Sequence, residues 1–286
     1  MGMKHFRGVA AWILCLAVIL LGIQGCRTTD GAENVLLEFY FLDIGQGDAI
    51  LLRTTEGDIL IDAGPDDHED RLCLRLHQLG VTELRLMILT HPDEDHIGGA
   101  DGVLYEFPVT EIWSPDADAD HEGVRLMRTA AEQNGAEIRH PLAGEACRYG
   151  ETELFLLAPF EGGETLDSND SSIICKITCG KISALFTGDA EAKTEKRLLE
   201  EYGAKHLRCD LYKVGHHGSS TSTTAELLEA MQPEYAVISA EAENSYGHPH
   251  GEVVKRLKDA GVRVFRTDLA GEIVFATDGE RLWHCD

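Results

Sequence analysis

Four potential metal ligands fall within six consecutive residues: His91, Asp93, Asp95 and His96. They stand in the string THPDEDHIGG at residues 90–99, directly after an apolar, β-prone run at residues 84–89. A tight loop at the mouth of a strand can aim imidazole and carboxylate groups at two neighbouring cations, and the two glycines let the backbone turn closely beneath them. This mixture of nitrogen and oxygen ligands suits Zn²⁺ or Mn²⁺. The alternative, a solvated acidic loop that merely contains histidine, leaves the rest of the string unexplained.

Further polar side chains follow later apolar runs. Asp189 comes after Thr-Gly at the end of one run, where an ordinary turn is the alternative to a ligand. His216 and His217 follow another run; consecutive residues of a strand point in opposite directions, so only one should enter a site unless the strand has ended. Gly218 and Ser219 come next, and a helix beginning there would offer amide groups to a phosphate oxygen.

The elements that would position these residues alternate between strand and helix patterns. We predict helices near residues 69–79, 121–134, 190–202, 222–231 and 251–260. Strands are predicted near residues 35–42, 49–53, 58–62, 84–89, 109–113, 153–158, 172–187, 209–214, 235–239 and 262–275. Strands at both ends with helices between them indicate a layered α/β sandwich in one domain.

The first 25 residues have the composition of a signal peptide. Lys4 and Arg7 precede an apolar run at residues 9–23, and Ile23-Gln24-Gly25-Cys26 is similar to a lipoprotein cleavage box. We therefore expect residues 1–25 to be removed, Cys26 to carry lipid, and residues 26–34 to form a polar tether. Plain secretion and an uncleaved anchor are the alternatives. The protein would be exported, and the lipid would be its only attachment to a membrane.

Charge and cysteine content limit the possible partners. The chain has 286 residues, 43% of them hydrophobic, and a formal net charge of −25. Such a surface repels nucleic acid unless a basic patch is segregated locally.

Six cysteines follow Cys26, and no C-x-x-C pair indicates a cysteine zinc site. Cys175 and Cys179 lie four residues apart on one strand face, either as small buried side chains or as a disulfide.

The string at residues 91–99 resembles the signature of the metallo-β-lactamase superfamily, His-x-[His/Asp]-x-Asp-His-x-Gly-Gly. Aspartate at position 93 resembles the hydrolase domain of the ComEC competence proteins, which import DNA. Segments at residues 41–49, 169–172, 187–189, 213–219 and 244–250 agree with that subfamily in the same order. The resemblance implies an αββα sandwich, a single domain at residues 35–286, here in a free-standing, exported form.

The resemblance also implies roles for individual residues. His91 and Asp93 would bind one metal ion, Asp95 and His96 a second, and Asp189 would bridge both. His248 resembles the late histidine ligand of the second metal, with His250 as its competitor. No histidine stands where the family places another ligand of the first metal; Asp170 is the nearest candidate, with a hairpin turn as the alternative, and its oxygen would favour Mn²⁺ over Zn²⁺.

A metal-dependent hydrolase follows from these roles. Two divalent cations, Zn²⁺ or Mn²⁺, would activate a water molecule that Asp95 orients. We assign His217 to catalysis with Asp95, and His216, Gly218 and Ser219 to substrate binding. The resemblance favours a phosphodiesterase or nuclease acting on DNA or another phosphodiester. The alternatives are hydrolysis of a lactone, thioester or other ester, or a metal-binding lipoprotein without activity. No obligate protein partner is indicated.

Overall fold

The first strand of the fold is buried along its whole length. The computed structural model describes residues 34–115, 121–161 and 168–285. β1 (Leu37–Phe41) is buried at all five positions, whereas a strand with one face in water would alternate between apolar and polar residues. The sheet that contains β1 is therefore covered on both faces.

Two sheets contain the strands of the described residues. In spatial order the first consists of β15 (Leu282–Cys285), β14 (Ile273–Thr277), β1, β2 (Ile50–Thr54), β3 (Gly57–Ile61), β4 (Leu84–Ile88), β5 (Glu111–Trp113) and β6 (Glu137–Arg139). The second consists of β13 (Arg263–Arg266), β12 (Tyr235–Ile238), β11 (Leu211–Lys213), β10 (Ile182–Phe186), β9 (Ile174–Cys179), β8 (Thr152–Ala158) and β7 (Ala146–Tyr149). β1 pairs antiparallel with β14, so that Leu37 faces Thr277.

The helices cover the outer faces of the sheets. They are α1 (Glu69–Gln78), α2 (Glu94–Ile97), α3 (Ala100–Glu106), α4 (Glu122–Asn134), α5 (Ala192–Leu207), α6 (Ala225–Met231), α7 (Gly251–Asp259) and α8 (Thr267–Ala270). Apolar residues of α1, α3 and α4 share one buried cluster with the first sheet. Those of α5, α6 and α7 share another with the second sheet.

A third apolar cluster fills the space between the sheets. Phe186 of β10 stacks on Phe39 and Phe41 of β1, with ring centroids 6.3 and 6.2 Å apart. Both sheets contribute buried aliphatic side chains around these rings. Helix, sheet, sheet and helix therefore lie in four layers, which confirms the predicted αββα sandwich.

Two of the predicted strand regions each contain more than one element. The prediction at residues 172–187 covers the hairpin of β9 and β10, which turns at Gly180 (φ 59°). The prediction at residues 262–275 covers β13, α8 and the start of β14, which belong to different sheets. In both places a continuous apolar run conceals a reversal or crossover of the chain, because apolar periodicity alone does not show where a strand ends.

Parallel strands determine where polar loops meet. β3 to β6 are mutually parallel, and so are β10 to β13. The loops that follow β4, β10 and β11 carry His91, Asp189 and His216. Crevices beyond the carboxyl ends of parallel strands are the usual ligand sites of α/β sheets.

The predicted signal peptide at residues 1–25 lies outside the described residues, as does the tether at residues 26–34 apart from Asn34. Export and lipidation therefore stay predictions. In the described part of the chain no helix is both long and apolar enough to span a membrane. The thiols of Cys73, Cys147, Cys175, Cys179 and Cys209 are free. Cys175 and Cys179 are buried in β9 as small apolar side chains.

Candidate metal centre

The loop after β4 presents two buried imidazoles. Asp93 precedes the single turn of α2 in an extended conformation, and His91 and His96 are fully buried. The loop lies against the end of β3 so closely that a Cβ atom on Gly99 would fall 2.5 Å from the Ala63 carbonyl oxygen. Glycine is therefore required beneath the ligand string, as its sequence suggested.

Each buried imidazole is oriented by a hydrogen bond on its far side. His96 Nδ1 lies 2.8 Å from Asp62 Oδ2 and donates to it. Thr90 Oγ1 also donates to Asp62, so it can accept from His91 Nδ1 at 3.1 Å. These partners place a proton on Nδ1 of each ring, so that each Nε2 atom points into the site.

Asp189 lies at the centre of the histidines. It follows β10 after Thr187 and Gly188, and its side chain is 4% exposed. The carboxylate oxygens lie 3.3 Å from His96 Nε2, 3.5 Å from His217 Nε2 and 3.6 Å from His216 Nε2. Burial raises the pKa of Asp189, but His96 and His217 outweigh burial and hold it well below its usual value.

Both members of the histidine pair enter the site. β11 ends at Lys213, and His216 and His217 adopt left-handed backbone conformations with φ of 49° and 51°. Because the strand has ended, the two side chains no longer point to opposite faces. His217 Nε2 lies 3.1 Å from His96 Nε2 and 3.2 Å from Asp95 Oδ2. Its Nδ1 lies 3.1 Å from the Ser239 carbonyl oxygen, to which it donates.

The two other carboxylates of the ligand string lie at the opening of the site. The side chain of Asp93 is 38% exposed, with Oδ2 3.8 Å from His91 Nε2. The side chain of Asp95 is 26% exposed, with Oδ1 4.0 Å from His96 Nε2. Burial raises the pKa of Asp95, but His96 and His217 outweigh this and lower it. Both carboxylates are thus available to a cation and to solvent.

His248 and Asp170 lie beside this cluster. The His248 ring is 5.5 Å from the His216 ring, and burial together with His217 and His216 lowers its pKa to about 4. Among the described residues, the candidate ligand groups with mutually close donor atoms leave out His248, as they leave out Asp93, Asp95 and His216. His248 Nδ1 is buried and has no hydrogen-bond partner among those residues. Asp170 is buried, and its Oδ1 accepts the Glu191 amide at 3.0 Å.

The predicted phosphate-binding helix after His217 is not there. Gly218 ends a short 3-10 turn, Ser219 is extended, and α6 begins only at Ala225, with Thr224 as its N-cap. Ser219 Oγ instead lies 3.1 Å from Thr221 Oγ1. The run of hydroxyl residues after Ser219 favours a capped turn over an immediate helix start, because such side chains compete for backbone groups.

A buried ion pair beside the histidines was not predicted. Lys213 Nζ lies 2.8 Å from Asp48 Oδ2, and both side chains are at most 2% exposed. Asp48 Oδ1 lies 3.7 Å from His217 Nδ1. A lysine within the apolar strand LYKV was the available signal, because a buried charge needs a partner.

The arrangement of ring nitrogens and carboxylates fits a metal centre. His96 and His217 donate through Nδ1 to other groups and face each other through Nε2 atoms 3.1 Å apart. Burial lowers the pKa of both rings, but Asp189 and neighbouring carboxylates outweigh burial and raise it, so the pair needs a proton or a metal ion between its nitrogens. His91 Nε2 and Asp189 Oδ1 are buried and have no hydrogen-bond partner among the described residues. Acceptors packed together in this way repel one another unless a cation lies between them. The nitrogen and carboxylate donors are those that bind divalent metals.

Known proteins are similar to this chain in sequence and fold. A family model described as the metallo-beta-lactamase superfamily matches residues 42–242. ComE operon protein 3 of Bacillus subtilis is 31% identical over 285 residues, covering 93% of this chain and 36% of that protein. Competence protein ComA of Neisseria gonorrhoeae is 32% identical over 269 residues, covering 94% of this chain and 36% of that protein. The chain thus spans little more than a third of the length of these curated relatives.

Solved structures agree on the fold. The metallo-beta-lactamase fold protein YhfI from Bacillus subtilis has a TM-score of 0.55 at 12% identity, covering 86% of this chain and 99% of that one. CmlA, a diiron beta-hydroxylase from Streptomyces venezuelae, has a TM-score of 0.56 at 14% identity, covering 86% of this chain and 55% of that one. The histidine and aspartate cluster at the carboxyl ends of the strands, the family match and the fold lead to one conclusion: this chain belongs to the metallo-β-lactamase superfamily and resembles its competence-protein branch.

Proposed function

We propose that this chain is a metal-dependent phosphodiesterase with a dinuclear site. The facing Nε2 atoms of His96 and His217, 3.1 Å apart beside the Asp189 carboxylate, carry the proposal. Such an arrangement needs positive charge, and divalent cations are what this donor set binds. Fold alone does not choose the reaction, since one fold neighbour is a hydroxylase. The choice rests on the site and on the competence-protein relatives.

The geometry favours one division of ligands between two cations. His91, Asp93 and His216 would hold the first, Asp95, His96 and His217 the second, with Asp189 between them. In this division His217 takes the position that the resemblance gave to His248. Asp170 would lie beside the first cation, because its Oδ1 accepts the amide of Glu191, two residues after Asp189. With carboxylates from three residues, Mn²⁺ and Zn²⁺ are the candidate metals.

Bound divalent cations would lower the pKa of water toward neutrality and neutralise charge that develops on a phosphoryl oxygen. Asp95, partly exposed and next to His217, would orient the attacking water. Asp62 and the Ser239 carbonyl keep the Nδ1 protons of His96 and His217 away from the reacting atoms. His216, 20% exposed, would hold the first cation, and the backbone at Gly218 and Ser219 would contact the substrate.

The substrate class follows from similarity and charge together. Two relatives are named for competence or the Com operon, which favours DNA or another phosphodiester as substrate. The charge of −25 opposes tight nonspecific binding of long polyanions, so attraction would be local to the cations. Export and a lipid anchor at Cys26 would place this activity outside the cell.

The decisive experiment combines metal analysis with cleavage assays. Wild-type protein should carry two divalent cations and cleave a generic phosphodiester or DNA with added Mn²⁺ or Zn²⁺, and a chelator should abolish cleavage. Asp95→Ala should lose one cation and about a hundredfold or more in rate, since electrostatic stabilisation alone commonly supplies that much. Asp93→Asn would make the corresponding change at a ligand of the other cation.

Two outcomes would contradict the proposal in different ways. Two-metal protein that hydrolyses lactones or thioesters but no phosphodiester would replace the substrate class. Two-metal protein that hydrolyses none of these substrates would indicate a metal-binding protein without hydrolytic activity. Cleavage that survives both Asp95→Ala and exhaustive chelation would overturn the metal mechanism itself.

A further inference from the structure

An exposed aromatic ring stands at the opening of the metal centre. Tyr246, in the loop between β12 and α7, is 64% exposed. One face of its ring stacks on His248, with centroids 5.7 Å apart and planes at 20°. A tyrosine left this open to water at the rim of a site is available to contact a ligand.

The stack connects directly to the ligand cluster. The His248 ring lies 5.5 Å from the ring of His216, whose Nε2 lies 3.6 Å from Asp189 Oδ2. A planar group stacked on the open face of Tyr246 would therefore be separated from the cluster by the tyrosine ring and two imidazole rings. A base held there would belong to a nucleotide that flanks the one whose phosphate lies at the cations.

The loop that carries the stack is held in place. Asn244 Nδ2 donates to the carbonyl oxygens of Glu241 and His248, at 2.8 and 2.6 Å. The His248 amide donates back to Asn244 Oδ1 at 3.0 Å. The ring pair is thus formed before a ligand arrives, which lowers the entropic cost of binding.

The segment that contains the loop offers no basic side chain to a nucleic acid strand. No lysine or arginine occurs from residue 214 to residue 254, and the loop itself contains Glu241 and Glu243. Proteins that track a phosphate backbone do so with basic side chains. Affinity contributed by this loop would therefore come from stacking, in addition to the attraction of the cations, and base–aromatic stacking tolerates every base.

We propose that Tyr246, stacked on His248, is a platform for an unpaired nucleobase of the substrate. The inference rests on the proposed phosphodiesterase function and narrows it to single-stranded or frayed nucleic acid. In a duplex the faces of each base are already covered by neighbouring bases, so Tyr246 reaches a base only where the strand is open.

The test compares a short single-stranded oligodeoxynucleotide with an abasic oligonucleotide of the same length, using the full chain with added Mn²⁺. Wild-type protein should have a lower KM for the strand that carries bases. Tyr246→Leu should shrink that preference about tenfold, within the range of losses seen when stacking aromatics are removed. Tyr246→Phe should keep it. Tyr105→Leu, at a 57% exposed tyrosine of α3, is the matched control and should also keep it.

Direct binding of the labelled oligonucleotide, followed by fluorescence anisotropy, separates this proposal from the proposed function. Binding that depends on Tyr246 without any cleavage would retain the platform and refute the phosphodiesterase. Cleavage with an unchanged preference in Tyr246→Leu would refute the platform alone. An equal rise of KM for both oligonucleotides would show that Tyr246 only shapes the loop. If wild-type protein neither bound nor cleaved either oligonucleotide, both the platform and the phosphodiesterase would be refuted.

Discussion

The metal centre has a buried core and an open rim, and the two are built differently. In the core, His96 and His217 are at most 1% exposed and donate their Nδ1 protons to fixed partners. On the rim, Asp93 and Asp95 have 38% and 26% of their side chains exposed. The core is thus held rigid before a cation binds, whereas the rim can adjust to what enters.

This difference predicts separable effects of substitution. Changes in the core should alter how many cations the protein retains and how stable it is, because those buried side chains would hold the cations and depend on one another for their positions. Changes on the rim should mainly alter rate or KM with little effect on stability, and a rim carboxylate that is itself a ligand, such as Asp95, should cost at most its own cation. The following variants test that division.

Asp189→Asn should have the largest effect. The substitution removes the negative charge that faces four imidazoles, so both cations should be lost and the rate should fall about a thousandfold or more, since metals supply most of the catalysis in such sites. Metal content per protein molecule and phosphodiester cleavage are measured together. Asp259→Asn on α7, remote from the site, is the control. Retention of two cations by Asp189→Asn would show that the core does not depend on this carboxylate.

Lys213→Met should act on stability. It leaves Asp48 buried without its counter-ion, which typically costs about 3–5 kcal/mol of unfolding free energy. Lys255→Met removes the exposed Lys255–Asp259 pair of α7 and should cost under about 0.5 kcal/mol. Urea unfolding of the metal-free proteins gives both values. Adding Asp48→Asn to Lys213→Met should recover part of the loss; equal losses for both lysine variants would contradict the distinction between buried and exposed pairs.

Ser219→Ala should have the smallest effect. Ser219 belongs to the turn beside the site, and its hydroxyl is hydrogen-bonded to Thr221 Oγ1. Losing one hydrogen bond of this kind corresponds to about 1 kcal/mol, roughly fivefold in KM. Steady-state kinetics with metal content determined in parallel tests this, and a lost cation would place Ser219 with the core instead.

Much of this site could be predicted from local sequence. The run LRLMI ends at a string of four ligands within six residues, and both strand and loop follow from that local pattern. The helix at residues 69–79 was equally clear, because its apolar spacing stops at Gly80, which adopts a positive φ of 77°. Features encoded within about ten residues of one another were accessible.

Features that depend on residues distant in the sequence could not be predicted. Nothing near Asp48 in the sequence shows that it meets Lys213, because strands of opposite sheets bring the two together. The left-handed backbone of His216 and His217 has only a weak signal, since histidine adopts it more often than most residues but still uncommonly. Whether His217 or His248 approaches His96 therefore had to come from the three-dimensional arrangement.

The pairing of β1 with β14 has a consequence for how this unit can be combined with others. Leu37 pairs with Thr277 of β14, and β15 pairs with the other edge of β14, so the first and last described strands lie in the same sheet with one strand between them. A unit whose first and last strands lie near each other can be joined to, or inserted within, another polypeptide without distorting either partner. The curated relatives illustrate this modularity, since the matching segment occupies 36% of ComE operon protein 3.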